Sequence, residues 1–547
     1  MKYDPYEYRD SRRSVVMAPR GMVATSQPLA SQAGIDILKQ GGNAVDAAIA
    51  VNAVLGVVEP MSCGIGGDLF AIIKMAKESS LVGLNGSGRA PYGATIDYYT
   101  RNGYDYVPET GPLNWSVPGC VDGWVCLLER FGTMSLKQVL APAIDYAEEG
   151  FPVSDIIARD WASSIPLLQP WPESIRVYLP QGNAPAPGTV FKNIDLARSY
   201  RLLCDGGRDA FYCGDIANNI IKCSREIGGL FNIDDFKDHI STFDDPVSVD
   251  YRGHTVWELP PNGQGIAALQ MLNILEGFDL AQSGCQTANT LHLQIEAKKL
   301  AYADRAVFYA DPSFVDIPVE GLLSKSYANT QRDRIDLNRA ASHMVAGDPI
   351  LEHGDTAYMT VVDENRNVVS LIQSIFRGFG SGIVPKNLGF PIQNRGQLFS
   401  LDPTHRNALV PHKRPFHTII PAMVTKNNQP LLTFGLMGGA MQPQGHAQVL
   451  CNMIDFGMDV QEAGDAPRFQ HLGSAEPTGS PMDIGGGTVN LEQKITTETC
   501  KQLENRGHHI IRSAHGYGGY QAIRIDPETG ILHGASEPRK DGCAIGY

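Results

Sequence analysis

The stretch His353-Gly354-Asp355-Thr356-Ala357-Tyr358-Met359-Thr360-Val361-Val362-Asp363 decides how this chain is read. Gly354 and Asp355 form a turn-like pair, and an alternating run follows. Ala357, Met359 and Val361 point one way; Tyr358, Thr360 and Val362 point the other. That period of two predicts a strand opening at Thr356. A turn through Asp363-Glu364-Asn365-Arg366-Asn367 and a second strand, Val368 to Ile375, complete a hairpin. A lone threonine opening a strand is ordinarily a β-former and nothing more. The surrounding chain gives this one another reading.

Residues 305 to 354 read as polar, solvent-facing chain, with Ser324 to Arg334 and the loop Ala346-Gly347-Asp348-Pro349. A long exposed segment running into a strand that begins with threonine has the form of a cleavable connection. Before it, Leu291 to Arg305 predict one amphipathic helix. Glu296 and Lys299 invite a weak surface pair there, and His292 reads as a core or surface group. Val247 to Leu259 returns to strand, Pro260 to Gly265 is a turn, and Ile266 to Leu275 is a helix.

Nearer the start, Met22 to Thr25 reads as a strand. Ser26 caps a helix with Pro28 in its first turn, and Asn43 caps another from Ala44 to Val58. Met61 to Asp68 is glycine-rich and feeds the strand Leu69 to Ile73. Helix, loop, strand is the reverse of a dinucleotide fingerprint, so these glycines read as close packing of backbone on backbone. After a strand at Leu81 to Leu84, Arg89 lies in a polar turn; it is the right kind of group to hold a carboxylate. Downstream, Lys413 to Thr418 precedes a strand Ile419 to Val424, and Leu431 to Gly435 runs into Leu436-Met437-Gly438-Gly439-Ala440. A helix from Gln444 to Ile454 follows. Gly438 and Gly439 at a strand-to-helix junction suit a developing oxyanion, or else tight packing.

Composition excludes some classes. At 547 residues the chain exceeds one ordinary core. A formal net charge of −14 argues against nucleic acid and anionic membranes as partners, though not against a small anionic substrate. No run approaches the roughly 18 apolar residues of a membrane span. The first ten residues lack the apolar core of a signal peptide. Ten scattered cysteines, without a Cys-x-x-Cys pair, read as reduced thiols of a cytoplasmic protein. No metal is expected: the His412/His417 spacing and the His508-His509 pair are weak signals. No cofactor is called for.

Several stretches, in order, are similar to the gamma-glutamyltransferase (glutathione hydrolase) family of N-terminal nucleophile hydrolases. They are Gly41 to Ala48, Gly64 to Asp68, His292 to Arg305, Thr356 to Asp363, Gly378 to Val384, and Gly438-Gly439. The resemblance covers nearly the whole chain. It implies an α+β fold, a four-layer αββα sandwich with two stacked antiparallel sheets between helical layers. It implies a precursor cut between Asp355 and Thr356 into a large piece, 1 to 355, and a small piece, 356 to 547. The two form one intertwined unit, with a dimer of such units left open.

The chemistry of the residues agrees. A threonine hydroxyl needs a base within reach. An amide nitrogen cannot serve, but a free α-amine, with a pKa of about 7.7 to 8.0, can. Cleavage before Thr356 therefore makes nucleophile and base together. The resemblance further assigns Ser374 as a hydroxyl assisting Thr356, Gly438 and Gly439 as oxyanion donors, and Thr418 as a substrate contact. His417 stands where a second serine is usual. The usual carboxylate-binding arginine falls at Ser87, with Arg89 two residues on. Phe376 replaces an asparagine, Leu398 replaces the aspartate that holds an α-amino group, and Arg395 takes the neighbouring amide position. The segment 399 to 413, where some members carry a lid, is short. Arg89, Arg395 and His417 point to an acidic acyl group without an α-amine. The alternatives are a genuine glutathione hydrolase, a dicarboxylic-acyl or oxamate amidase or cephalosporin acylase, and, in another class, an unprocessed binding protein.

Overall fold

The computed structural model describes residues 13–344, 355–480 and 482–547. The expected loop Ala346 to Pro349, with His353 and Gly354, lies outside the described residues.

The hairpin read from the alternating pattern is present. Strand Asp355–Val362 pairs antiparallel with Val368–Phe376, and Val368–Phe376 pairs with Asp68–Lys74. They form the centre of a seven-stranded sheet. Its order is Cys543–Gly546, Met22–Thr25, Asp355–Val362, Val368–Phe376, Asp68–Lys74, Val82–Gly86, Thr242–Asp244. A second sheet of seven runs Val16–Ala18, Leu532–Ala535, Gly519–Ile525, Gln429–Met437, Ala422–Lys426, His254–Glu258, Val247–Tyr251.

The alternation of side chains sorts the layers. Ala357, Met359 and Val361 face the helices Pro28–Lys39 and Ala44–Val58. Tyr358 and Val362 face the second sheet, where they meet Ile419, Met423, Met437 and Ile523. The far side of the second sheet carries Gly265–Leu275, Ala288–Phe308 and Met441–Ile454. Helix, sheet, sheet, helix is the sandwich the resemblance implies.

The helix starts follow their capping residues, with one difference. Asn43 and Ser135 each make a full capping box. Gln27, rather than Ser26, caps the first helix, because the Ser26 hydroxyl is taken by Glu59 at 2.5 Å. Two other expectations fail for one reason, long-range packing. The stretch after 305 is not plain exposed chain: Val319–Leu323 and Lys325–Arg332 are helices, and Tyr327 and Gln331 bond Asp304. The Glu296–Lys299 pair forms at 2.8 Å, but inside the protein, because a third sheet, Phe469–Leu472, Thr488–Leu491 and His509–Arg512, helps cover that helix.

The glycine-rich loop packs backbone on backbone, as read. A Cβ on Gly66 would lie 2.0 Å from the Pro391 carbonyl oxygen, and one on Gly67 would lie 2.2 Å from that of Ser374. Gly67→Ala should therefore cost about 3 kcal/mol in urea unfolding. A loss below about 0.5 kcal/mol, the size of an indifferent surface change, would refute this close approach.

Candidate active site

Three adjacent strands bring the central groups together. Ser374 is paired in register with Asp68, and the register between Asp355 and Ala357 on one strand and Phe376 and Gln373 on the other slips by one residue. This bulge sits beside Thr356, and bulges re-aim side chains. Thr356 Oγ1 donates to Ser374 Oγ at 3.4 Å, and both residues are buried. Phe376 N–H also reaches Ser374 Oγ, at 2.8 Å, with Phe376 at φ 78°. A bulky residue in this left-handed region is uncommon and held by its surroundings.

Arg395 joins the cluster from the short helix Arg395–Leu398. Its Nη2 donates to Ser374 Oγ at 3.0 Å and its Nη1 to Thr418 Oγ1 at 2.7 Å. The guanidinium lies over the Phe376 ring, 4.4 Å from its centre. It is wholly buried, Nε has no partner, and among the described residues no carboxylate forms an ion pair with it. Burial lowers its pKa to about 9, against the pull of Asp68, so it stays cationic at neutral pH. Leu398 is also buried, in an apolar cluster with Phe376, Phe416 and Met441. That environment offers nothing to an ammonium group.

His417 is placed differently from its expected role. Its Nδ1 accepts the Ile419 N–H at 3.3 Å, so Nε2 carries the proton and donates to Asp68 Oδ2 at 3.0 Å. Burial first, then Arg395, lowers its pKa to about 4. At neutral pH it is an uncharged brace and brings no cation to the site. Asp68 Oδ1 accepts from Gly88 N at 2.9 Å, Gly119 N at 3.1 Å and Gln393 Nε2 at 2.7 Å. Arg89 is held at the Asp311 carboxylate, 3.7 Å away, and the His412 carbonyl, not in the Arg395 cluster. Ser87 accepts from Asn262 at 3.0 Å.

Gly438 and Gly439 have φ of 120° and 56°, the region that favours glycine, and they lead into the helix Met441–Ile454, three residues longer at its start than the sequence reading. Sequence reasoning missed Asp68 and Gln264 as site-forming groups. Asp68 ended a stretch singled out only for its glycines; Gln264 lay in what reads as a turn. Away from the site, His292, Glu296 and His508 bring three ligand atoms within 4.8 Å. The two rings bond each other at 2.8 Å, and Lys299 caps Glu296, so these groups already satisfy one another.

Residues 30–547 match the family described as Gamma-glutamyltranspeptidase. The chain belongs to this family, within the N-terminal nucleophile hydrolases, which makes it an amide hydrolase or acyltransferase of the self-processing kind. It is 40% identical over 537 residues to the glutathione hydrolase-like YwrD proenzyme of Bacillus subtilis, covering 97% of this chain and 99% of that protein. It is 34% identical to the oxamate amidohydrolase proenzyme of Klebsiella pneumoniae, covering 97% and 99%. The crystal structure of cephalosporin acylase from Bacillus halodurans superposes with a TM-score of 0.90 at 42% identity, covering 100% of this chain and 99% of that one.

The neutral His417 predicts a pH effect. Its folded pKa lies below its unfolded value of about 6.5, so the unfolded chain binds the proton first on acidification. Stability from this group is present at neutral pH and is lost as pH falls from about 6.5 toward 4. Between pH 7 and about 4.5, His417→Gln should lose roughly 2–3 kcal/mol less than the parent in urea unfolding. Equal losses would mean the ring is not held neutral.

Proposed function

We propose that this protein cuts itself between Asp355 and Thr356, and that the new N-terminal Thr356 attacks an amide whose acyl group carries a carboxylate and lacks an α-amine. Thr356 Oγ1 is the nucleophile and its freed amine the base. Ser374 steadies the hydroxyl, and Gly438 and Gly439 receive the oxyanion. The acyl-enzyme is released to water or to an amine. The observation that carries the substrate reading is Arg395. A buried guanidinium without a counter-ion is costly, and a carboxylate is the group that satisfies it bidentately. Only the Ser374 hydroxyl separates it from Thr356, so a bound carboxylate lies close to the scissile carbonyl. Leu398 in its apolar cluster supports the absence of an α-ammonium.

The names of relatives span this range. By their names, oxamate amidohydrolase acts on oxamate and glutathione hydrolase on glutathione. No described helix is long and apolar enough to cross a membrane. A cytoplasmic setting rests on the scattered, free cysteines.

A denaturing gel tests the first half. Two bands near about 39 and about 20 kDa, scaled from chain length, are expected, and Thr356→Ala should stay whole. One full-length band from the unaltered protein would support a non-catalytic binding protein; normal cutting of Thr356→Ala would mean a different nucleophile. Anilides test the second half. Glutaryl or oxamate amides should be turned over faster than the γ-glutamyl compound, and equal or better γ-glutamyl turnover overturns the pocket reading. Arg395→Met should lower kcat/KM on the acidic amides by roughly 100-fold, the worth of a charged hydrogen bond, and much less on a neutral acyl amide.

A further inference from the structure

We propose that Gln264 is a positioning residue that holds the oxyanion loop in place relative to Arg395; this rests on the function proposed above. Gln264 precedes the helix Gly265–Leu275 and is wholly buried. Its Oε1 accepts Arg305 Nη1 at 2.6 Å. The NH2 group must therefore face the other way, and both of its contacts are carbonyls: Thr418 O at 2.7 Å and Gly439 O at 2.9 Å. Two hydrogens meet two acceptors.

Each acceptor belongs to the site. Thr418 receives Arg395 through its hydroxyl, and the Gly439 carbonyl lies just after the two glycines. Glycines have little hold on their own dihedrals. The peptide planes that follow them supply it. Met441 N–H takes the Gly438 carbonyl at 3.0 Å, and Gln442 N–H takes the Gly439 carbonyl at 3.1 Å beside Gln264. Tyr302 Oη and Gln444 Nε2 hold the Ala440 carbonyl. The Gly438 carbonyl shares its peptide plane with the Gly439 N–H, so that bond sets one glycine amide. The Gly439 carbonyl, held by Gln264 and Gln442, fixes the next plane and so keeps the loop from turning about Gly439.

Arg305 keeps the device rigid. It pairs with Glu476 and lies over Tyr302, 3.8 Å from the ring centre. A buried chain thus runs from Glu476 through Arg305 and Gln264 to both halves of the site. The neighbouring residues serve the same register: Asn262 donates to the Pro415 carbonyl at 2.7 Å and accepts the His417 N–H through its own carbonyl at 2.9 Å. No covalent step is assigned to Gln264.

The test uses Gln264→Met, which keeps the volume and removes the hydrogen bonds, and Gln264→Glu, which keeps the acceptor for Arg305. Processed chains are counted on a gel, so kcat refers to cut protein. For Gln264→Met, kcat should fall by roughly 100-fold, as when an oxyanion donor is lost, with KM within about threefold. A folded Gln264→Met chain of parental Tm that no longer cuts itself supports the proposal equally, since cutting uses the same attack. For Gln264→Glu, protonation returns one donor, so its activity relative to the parent should rise as pH falls from about 8 to about 5. Unchanged kcat per processed chain, or a loss confined to KM or to Tm, overturns the proposal alone. An unaltered protein that stays whole and inert overturns the functional reading with it.

Discussion

The register of three neighbouring antiparallel strands is the constraint on which the site depends. Because Asp68 faces Ser374, and Ser374 lies beside the slip next to Thr356, one sheet presents a hydroxyl, a second hydroxyl and a carboxylate in a row. A one-residue shift would turn every one of these side chains to the opposite face. The glycine-rich loop enforces the register, since Gly67 fits against Ser374 only without a side chain. Asp68 then ties this sheet to the segment leading into the second one, through His417, and to Gly88, Gly119 and Gln393.

Charge is distributed on this frame with economy. Asp68 accepts four hydrogen bonds, His417 is neutral by burial, and Arg395 is left as a cation held by hydroxyls and an aromatic face. Hydroxyls and a ring solvate a guanidinium without neutralising it. A carboxylate in place of Ser374 or Thr418 would have closed the site with an internal ion pair. The arrangement instead leaves one buried cation without a counter-ion among the described residues, which is what the proposed acidic acyl group would use.

Much of this was legible in the sequence, but unevenly. The hairpin announced itself by alternation, and the helix at Ala44 by its cap, because these signals are local. Thr356 and Ser374 fall in short recognisable runs, and the structure places their hydroxyls side by side. The charge of His417 could not be read. Its partner lies 349 residues away, and only burial reveals that the ring is neutral. The same holds for Glu296 and Lys299, which look like a surface pair until the small third sheet covers them. Gln264 was hidden for a different reason. A glutamine between glycines reads as turn chemistry, and its role exists only once Arg305 fixes which way its amide faces.

The proposed cleavage before Thr356 would have a second consequence on this frame. Asp355 is paired with Phe376 across the hairpin, and the Phe376 ring carries the Arg395 guanidinium. On the proposed reading, the residue before the nucleophile is in the intact chain a paired member of this strand, and the Thr356 nitrogen is locked in an amide without basicity. Severing that bond converts the nitrogen into an amine that titrates near neutral pH. It would also end the strand at Thr356, so the pairing of Asp355 with Phe376 would be released at the same corner. On the proposed reading, one broken bond both arms the nucleophile and releases the backbone pairing of Asp355 with Phe376, the residue whose ring carries Arg395.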